Sequence, residues 1–243
     1  SKEEAIGQPV NMLHVSEDTD RITTEVISAV EKYGKWTSEI RMLHKDQHIG
    51  WIESMCVPIY DENEQMVGAL GINRDITDRI KETERLNYLA NYDQLTKIPN
   101  RYLLLDRITH LIEQSERNNG SFALLYIDLD KFKIINDTKG HAFGDKILIE
   151  AAFRLKQSIR NSDTVARIGG DEFVLLLEGM SNKNKVSEMA EVLIKTLNRA
   201  FVIDDEEFEL SCSIGVAIYP EDGTTPDTLL SVADKAMYKD KYN

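Results

Sequence analysis

The chain has few cysteines, no long apolar run and too little positive charge to balance its acids. Only Cys56 and Cys212 are present among 243 residues, far apart, each inside an apolar strand-like run and outside any CxxC or Cys/His spacing. That excludes a disulfide scaffold and a cysteine-based metal site, and it suits a reduced, buried pair of thiols in a cytoplasmic protein. No stretch approaches the ~20 apolar residues of a membrane span, and no signal peptide opens the sequence. The expectation is a cytoplasmic chain with no direct membrane contact. Because it opens on Ser1 rather than Met, it reads as a fragment whose parent could carry an anchor elsewhere. Lys and Arg number 29 against 42 Asp and Glu, a formal net charge of −13. Nucleic acid is thereby disfavoured as a partner, since that contact relies on clustered Lys and Arg. An anionic substrate would need a local basic site or a metal.

Hydrophobic residues at 42% and charged residues at 29% are ordinary for a globular protein that buries a core. At ~150 residues per domain the length favours two modest domains. Thr19 to Tyr33 reads as a helix. Trp36 to His44, Trp51 to Tyr60 and Met66 to Asn73 then read as a three-stranded antiparallel meander, separated by the polar turns Lys45 to His48 and Asp61 to Glu64. In its first strand Trp36, Ile40 and Met42 share one face while Glu39 and Arg41 share the other, the alternation of a half-buried sheet. Asp75 or Thr77 caps a charged helix running to about Asn91, polar on most faces and suited to a connector.

After Pro99 the rhythm changes. Leu103, Leu104, Ile108, Leu111 and Ile112 have helical spacing and lead to the apolar strand Phe122 to Ile127. Phe143 to Ile159 is the next helix, followed by strands Thr164 to Ile168 and Phe173 to Leu177, a helix carrying Val186 to Leu197, the strand Ser211 to Tyr219 and a last helix from near Pro226. Helices interleaved with an antiparallel hairpin imply an α/β or α+β sandwich.

Acidic residues gather at two of the strand ends. Between Ile168 and Phe173 lie Gly169-Gly170-Asp171-Glu172. A Gly-Gly pair between apolar runs is a hairpin signal because primed turns need positive φ, and Asp171 and Glu172 are expected at the start of the returning strand. The bare backbone there would also let a phosphate approach. The strand Phe122 to Ile127 ends in Asp128-Leu129-Asp130, two carboxylates on one face with a backbone carbonyl between them. Mg²⁺ prefers such hard oxygen ligands together with substrate phosphates, and Asp128 and Asp171 could supply them jointly. Asp130 reads as a loop cap rather than a ligand. Lys133 is either a phosphate-neutralising cation or an exposed loop lysine. The turn-rich segment from Asn136 to Asp145 offers an amide and a carboxylate, a donor and acceptor set able to read a guanine edge.

Three segments in this order, Asp93-Gln94-Leu95-Thr96-Lys97-Ile98-Pro99-Asn100-Arg101, Asp128-Leu129-Asp130-Lys131-Phe132-Lys133-Ile134-Ile135-Asn136-Asp137 and Arg167-Ile168-Gly169-Gly170-Asp171-Glu172-Phe173, resemble the GGDEF family of diguanylate cyclases. The resemblance runs from about Leu86 to the last residue. It implies an α+β, palm-like nucleotidyl-cyclase fold that condenses two GTP into cyclic di-GMP with release of two pyrophosphates, in a homodimer with one GTP per protomer. Carried over by position, Asp128, the Leu129 carbonyl and Asp171 would hold Mg²⁺, with Mn²⁺ as a substitute. Asp171 would also assist deprotonation of the attacking hydroxyl, Glu172 would support the same catalytic site and Lys133 would act on the phosphates, while Asn136 and Asp145 would read guanine and Lys241 would touch phosphate. Arg160-Asn161-Ser162-Asp163 stands in the register of the family's RxxD site, so Arg160 and Asp163 would bind the product as inhibitor.

Upstream, Trp36 to Arg79 resembles the C-terminal part of a PAS sensor domain. The implied arrangement is a partial PAS antiparallel sheet in residues 1–75, a connecting signalling helix in 76–91 and the cyclase domain in 92–243. A different class stays open, a catalytically silent module that binds GTP or cyclic di-GMP and regulates a partner. The full set of metal and charge-stabilising residues favours the enzyme over it.

Overall fold

A computed structural model describes residues 6–7, 19–44, 46 and 48–242. It divides into two compact units, 1–87 and 88–243, and the chain is α+β.

In the first unit, helix α1 (Thr19–Tyr33) precedes strands β1 (Trp36–Leu43), β2 (Ile49–Tyr60) and β3 (Met66–Asp75). The strands pair antiparallel in the order β1-β2-β3. Alternation decides which face is covered. Trp36, Ile40 and Ile52 pack with Ile22 and Val30 of α1, and Met42 and Cys56 lie against that cluster. Cys56 is thus only half-buried, whereas Cys212 is buried. The expected pair of buried thiols is corrected on that point, because Cys56 lies on a sheet that, among the described residues, packs against one helix. Helix α2 (Thr77–Asn91) starts where the Asp75 carboxylate accepts from the Thr77 amide at 2.9 Å. Asp75 is therefore the cap. The Thr77 hydroxyl instead accepts from the Trp51 amide at 2.8 Å, tying the helix start to β2.

The second unit runs α3 (Arg101–Asn118), β4 (Phe122–Leu129), α4 (Phe132–Lys139), α5 (His141–Gln157), β5 (Thr164–Gly169), β6 (Glu172–Glu178), α6 (Lys183–Leu197), β7 (Phe201–Ile203), β8 (Glu206–Phe208), β9 (Cys212–Tyr219) and α7 (Pro226–Tyr242). Strands β5, β6, β4 and β9 form an antiparallel sheet in that order, and β7 and β8 make a separate hairpin. Asn100 starts α3 by accepting from the Leu103 amide, and Asn182 starts α6 by accepting from Asn184 and Lys185.

Strand β4 lies at the centre of the sheet, and its alternate residues feed two cores. Ala123, Leu125, Ile127 and Leu129 pack with α5 and α6 through Leu148, Leu155, Leu193 and Leu197. Phe122, Leu124 and Tyr126 pack with α3 and α7 through Leu104, Ile108, Leu229 and Met237. A strand covered on both faces reads as a continuous apolar run, as this one does. At Gly215 of β9 a Cβ would lie 1.9 Å from the Ala233 carbonyl oxygen, so only glycine lets the backbone of α7 rest on the sheet.

One further expectation changes, and one element was not expected. The segment from Asn136 to Asp145, read as turn-rich, lies in two helices broken at Gly140, which has φ 87°. Its polar residues, Asn136 excepted, lie on the exposed faces of those helices, which is why composition suggested a loop. The β7–β8 hairpin had no signal of its own, since three-residue strands are too short for alternation to register.

Candidate active site

The end of β4 and the tip of the β5–β6 hairpin come together because strand register places them there. Asp128 lies directly opposite Glu172 on β6 and opposite Ser213 on β9. The hairpin turn is displaced by one residue from its expected place. Gly169 pairs with Glu172, only Gly170 has a positive φ (49°), and a bulge lies between Arg167 and Gly169. Asp171 therefore sits in the turn, not on the returning strand. Its carbonyl accepts from the Leu129 amide at 3.3 Å, which fastens the hairpin tip to the strand end. The sequence-predicted ligands Asp128, Leu129 and Asp171 are thus neighbours.

Like charges crowd this end. Burial pushes the Asp128 carboxyl above the usual range, the Lys241 hydrogen bond opposes that, and the charge of Asp171 adds to the rise. Burial raises Glu172 as well, opposed by the hydrogen bond from the Tyr126 hydroxyl at 3.1 Å and reinforced by Asp128, Asp171 and Asp234. Tyr126 in turn is raised by burial and by the Glu172 charge. The answering cation comes from α7, where the Lys241 ammonium forms an ion pair with Asp128. Burial alone would lower Lys241, but the bond and charge of Asp128 outweigh it and leave it raised.

Among the described residues no three acidic, histidine or cysteine side chains form a metal cluster. What the structure offers is two carboxylates and a backbone carbonyl, a set that suits Mg²⁺ when substrate phosphates and water complete its shell. The crowding of Asp128 against Asp171, and the ammonium drawn to it, indicate a place that favours positive charge.

The remaining predicted residues spread outward. Asp130 accepts from the hydroxyls of Ser211 and Ser213 at 2.8 Å each and donates its amide to the Ser211 carbonyl, so it ties β4 to β9. Lys133 is exposed in the first turn of α4. Asn136, near the end of α4, is half-buried, and Asp145 is exposed on the first turns of α5. Arg160 and Asp163 form a turn closed by the Asp163 carboxylate on the Arg160 amide at 3.1 Å. This turn borders a cavity of about 350 Å³ whose lining includes Tyr92, Pro99, Arg107, Lys156, Arg160 and Asp163.

Four contributors were not legible as such. Arg167 donates through Nε and Nη2 to the Gly170 carbonyl at 2.9 and 2.7 Å, and through Nη1 to both Asp93 oxygens at 3.0 and 3.2 Å. Asp93 also accepts from the amide and hydroxyl of Thr96. One guanidinium therefore holds the hairpin tip against a turn 74 residues earlier. Burial works against ionised Asp93, but the Thr96 bonds and Arg167 outweigh it and hold its carboxyl below the usual range. Tyr126 was masked by its apolar neighbours, although its place two residues before Asp128, on the same face, was the available sign. Asp234 contributes only through space.

Residues 90–243 match the family model described as diguanylate cyclase, GGDEF domain. The chain belongs to that family. Residues 1–73 match the PAS fold. This GGDEF chain is 45% identical over 165 residues to the bifunctional diguanylate cyclase/cyclic di-GMP phosphodiesterase MucR of Pseudomonas aeruginosa, a match covering 68% of the chain and 24% of MucR. It is 38% identical over 158 residues to the diguanylate cyclase TpbB of the same organism, covering 65% of the chain and 36% of TpbB. Among solved structures, the GGDEF domain of TpbB superposes with TM-score 0.60 at 38% identity, covering 62% of this chain and 88% of that one. A sensory box/GGDEF protein of Caulobacter crescentus does so with TM-score 0.60 at 38% identity, covering 63% and 99%. The chain thus spans about a quarter to a third of the length of these curated relatives.

Proposed function

We propose that residues 92–243 form a diguanylate cyclase domain, joined through a connecting helix in 76–91 to a partial PAS sensor domain in 1–75. The reaction is the condensation of two GTP. The 3′-hydroxyl of one nucleotide attacks the α-phosphate of the other, pyrophosphate leaves, and the reciprocal attack closes cyclic di-GMP. Each protomer holds one GTP, so two copies must face each other.

The observation that carries this reading is the register of Asp128 opposite Glu172, with Asp171 in the adjoining turn. Mg²⁺, or Mn²⁺ in its place, would be held by Asp128, the Leu129 carbonyl and Asp171 and would neutralise charge on the triphosphate. Asp171 and Glu172 take up the proton of the attacking hydroxyl, and Tyr126 holds Glu172 in place through its hydrogen bond. Lys241 stands beside Asp128, ready to meet a phosphate, and Lys133 adds charge from α4. Asn136 and Asp145 read the guanine edge. Catalysis of this kind is mainly positioning and charge neutralisation, which matches residues set on a doubly covered sheet.

Product inhibition through Arg160 and Asp163 is part of the proposal. The supporting feature is the adjoining cavity with Arg107 and Lys156 in its wall, cations suited to a phosphodiester ring. The PAS unit would set activity through the helix that Asp75 caps.

The deciding experiment incubates the full chain with GTP and Mg²⁺ and separates products by chromatography. Cyclic di-GMP and pyrophosphate should appear and should vanish in Asp171→Ala. GTP binding without turnover in the unaltered chain would instead make it a silent regulatory module. Arg160→Ala should keep synthesis and lose inhibition by added cyclic di-GMP. Inhibition that persists unchanged rejects the assignment of Arg160 and Asp163.

A further inference from the structure

Gly144 occupies a place where local chemistry argues against glycine. It is buried in the first turns of α5, and glycine is among the poorest residues for a helix. Nothing in its backbone calls for it, since its amide donates to the Gly140 carbonyl at 3.3 Å as a helical residue should. The reason lies across the break between α4 and α5. A Cβ on Gly144 would lie 1.9 Å from Asn136 Oδ1, 3.0 Å from Asn136 Cγ and 3.0 Å from Phe132 Cζ. The first of these is an overlap, whichever end of the amide faces the glycine. The contact to Phe132 is only tight.

Asn136 Oδ1 is also buried and has no hydrogen-bond partner among the described residues. A buried acceptor without a donor is a standing cost, and most folds remove it. Here it is kept, by a side chain packed onto the turn that carries Asp145. With one end of the amide covered by α5, the other end is what remains to meet the edge of a base beside the exposed Asp145 carboxylate.

We infer that Gly144 is a specificity-determining position for the base. By having no side chain, it lets the Asn136 carboxamide fold against α5 next to Asp145, with one end covered and the other left to meet the 2-amino edge of guanine. The inference rests on the guanine role proposed above for Asn136 and Asp145, and adds the residue that positions the amide. An alanine methyl would move the amide by more than about 1 Å, since an ordinary C···O contact needs roughly 3.3 Å. The clash falls on the tip of a short flexible side chain rather than on backbone. The fold should therefore tolerate alanine, and the helix should gain from it, while base reading is lost.

The test is a double-mutant cycle on the full chain with Mg²⁺, using the non-reacting α,β-methylene analogue of GTP and its inosine counterpart, which lacks the 2-amino group. Calorimetry should show Gly144→Ala binding the guanine analogue about tenfold more weakly and preferring it less over the inosine form. The same change made on Asn136→Ala should alter affinity less than twofold. The thermal midpoint of Gly144→Ala should be unchanged or higher. Equal losses in both backgrounds, or no loss in the first, overturn the inference. A nucleotide-free arm separates it from the reading beneath it. The Asn136 side-chain amide resonances should move in Gly144→Ala, and unmoved resonances overturn the packing claim whatever nucleotide binds. Shifted resonances in a protein that binds no guanine nucleotide would uphold the packing and reject the base role for both residues.

Discussion

Two antiparallel sheets in one chain are used differently. In the N-terminal unit β3 is exposed along nearly its whole length, and among the described residues α1 covers one face of the sheet and leaves Met55, Ile59, Leu70 and Ile72 outside. In the C-terminal unit β4 is buried from Phe122 to Ile127 and packs on both faces. The pairing geometry is the same, but the consequence is not. A one-residue slip in β4 would exchange two apolar cores, so its register is pinned and Asp128 arrives opposite Glu172 without choice. A sheet covered once has a weaker hold on its far end. Charged groups that must meet to within an ångström are accordingly found on the doubly covered sheet.

The comparison can be broken most strongly in the core of β4. Leu125→Ala should cost about 3 kcal/mol, because Leu125 is fully buried between layers. Urea unfolding followed by far-UV and tyrosine near-UV dichroism measures it. The two tryptophans, Trp36 and Trp51, lie in the other unit, so their fluorescence reports that transition separately. A midpoint that does not move would mean that β4 is not pinned by its layers.

Next in size is the clamp on the hairpin tip. Asp93→Asn should lower the stability of the C-terminal unit by about 2 kcal/mol at pH 7, a typical loss for a partly buried charged hydrogen-bond set. Its pH dependence has a defined sign. The folded-state pKa of Asp93 is depressed, so its contribution is complete above the ordinary value of 3.8 and disappears as pH falls through the depressed value. The gap between the two proteins should therefore close below about pH 4. A gap that stays constant down to pH 3 would show that ionised Asp93 is not the stabilising form.

A smaller effect is expected at Lys241. Replacing it with Met removes the cation beside Asp128, so nucleotide-free Mn²⁺ binding, read by electron paramagnetic resonance, should tighten about fivefold while GTP-analogue binding weakens. Unchanged Mn²⁺ binding would mean that the pair leaves the carboxylates as they were. The smallest effect should come from the open sheet. Leu70→Ala, at 50% exposure, should shift stability by no more than about 0.5 kcal/mol. A loss comparable to that of Leu125→Ala would erase the contrast between the sheets.

Much of the architecture was legible from periodicity. The meander at Trp36 to Asn73, the strand at Phe122 and the helix at Val186 all carry their own alternation or 3.6-residue spacing, and the structure has them there. The acidic motif was legible too, as residue types at strand ends. Short or mixed pieces were not. The α4 helix carries polar residues on its exposed face and reads like a loop, and β7 and β8 are too brief to show a period. The hairpin turn was misplaced by one residue, because a bulge between Arg167 and Gly169 shifts the count and leaves no mark in composition.

The amino-acid sequence by itself determined which segments become strands and helices, which strand ends are acidic and which family the motifs resemble. These properties depend on neighbours a few residues apart, where spacing alone decides which side chains share a face. Only the tertiary structure decided that Asp171 sits in the turn with its carbonyl on the Leu129 amide, that Arg167 reaches Asp93, that Lys241 finds Asp128 and that Asn136 lies over Gly144. Those contacts join residues far apart in sequence or on different elements. They are set by sheet register, by two packed cores and by how closely backbones approach, none of which a local pattern records.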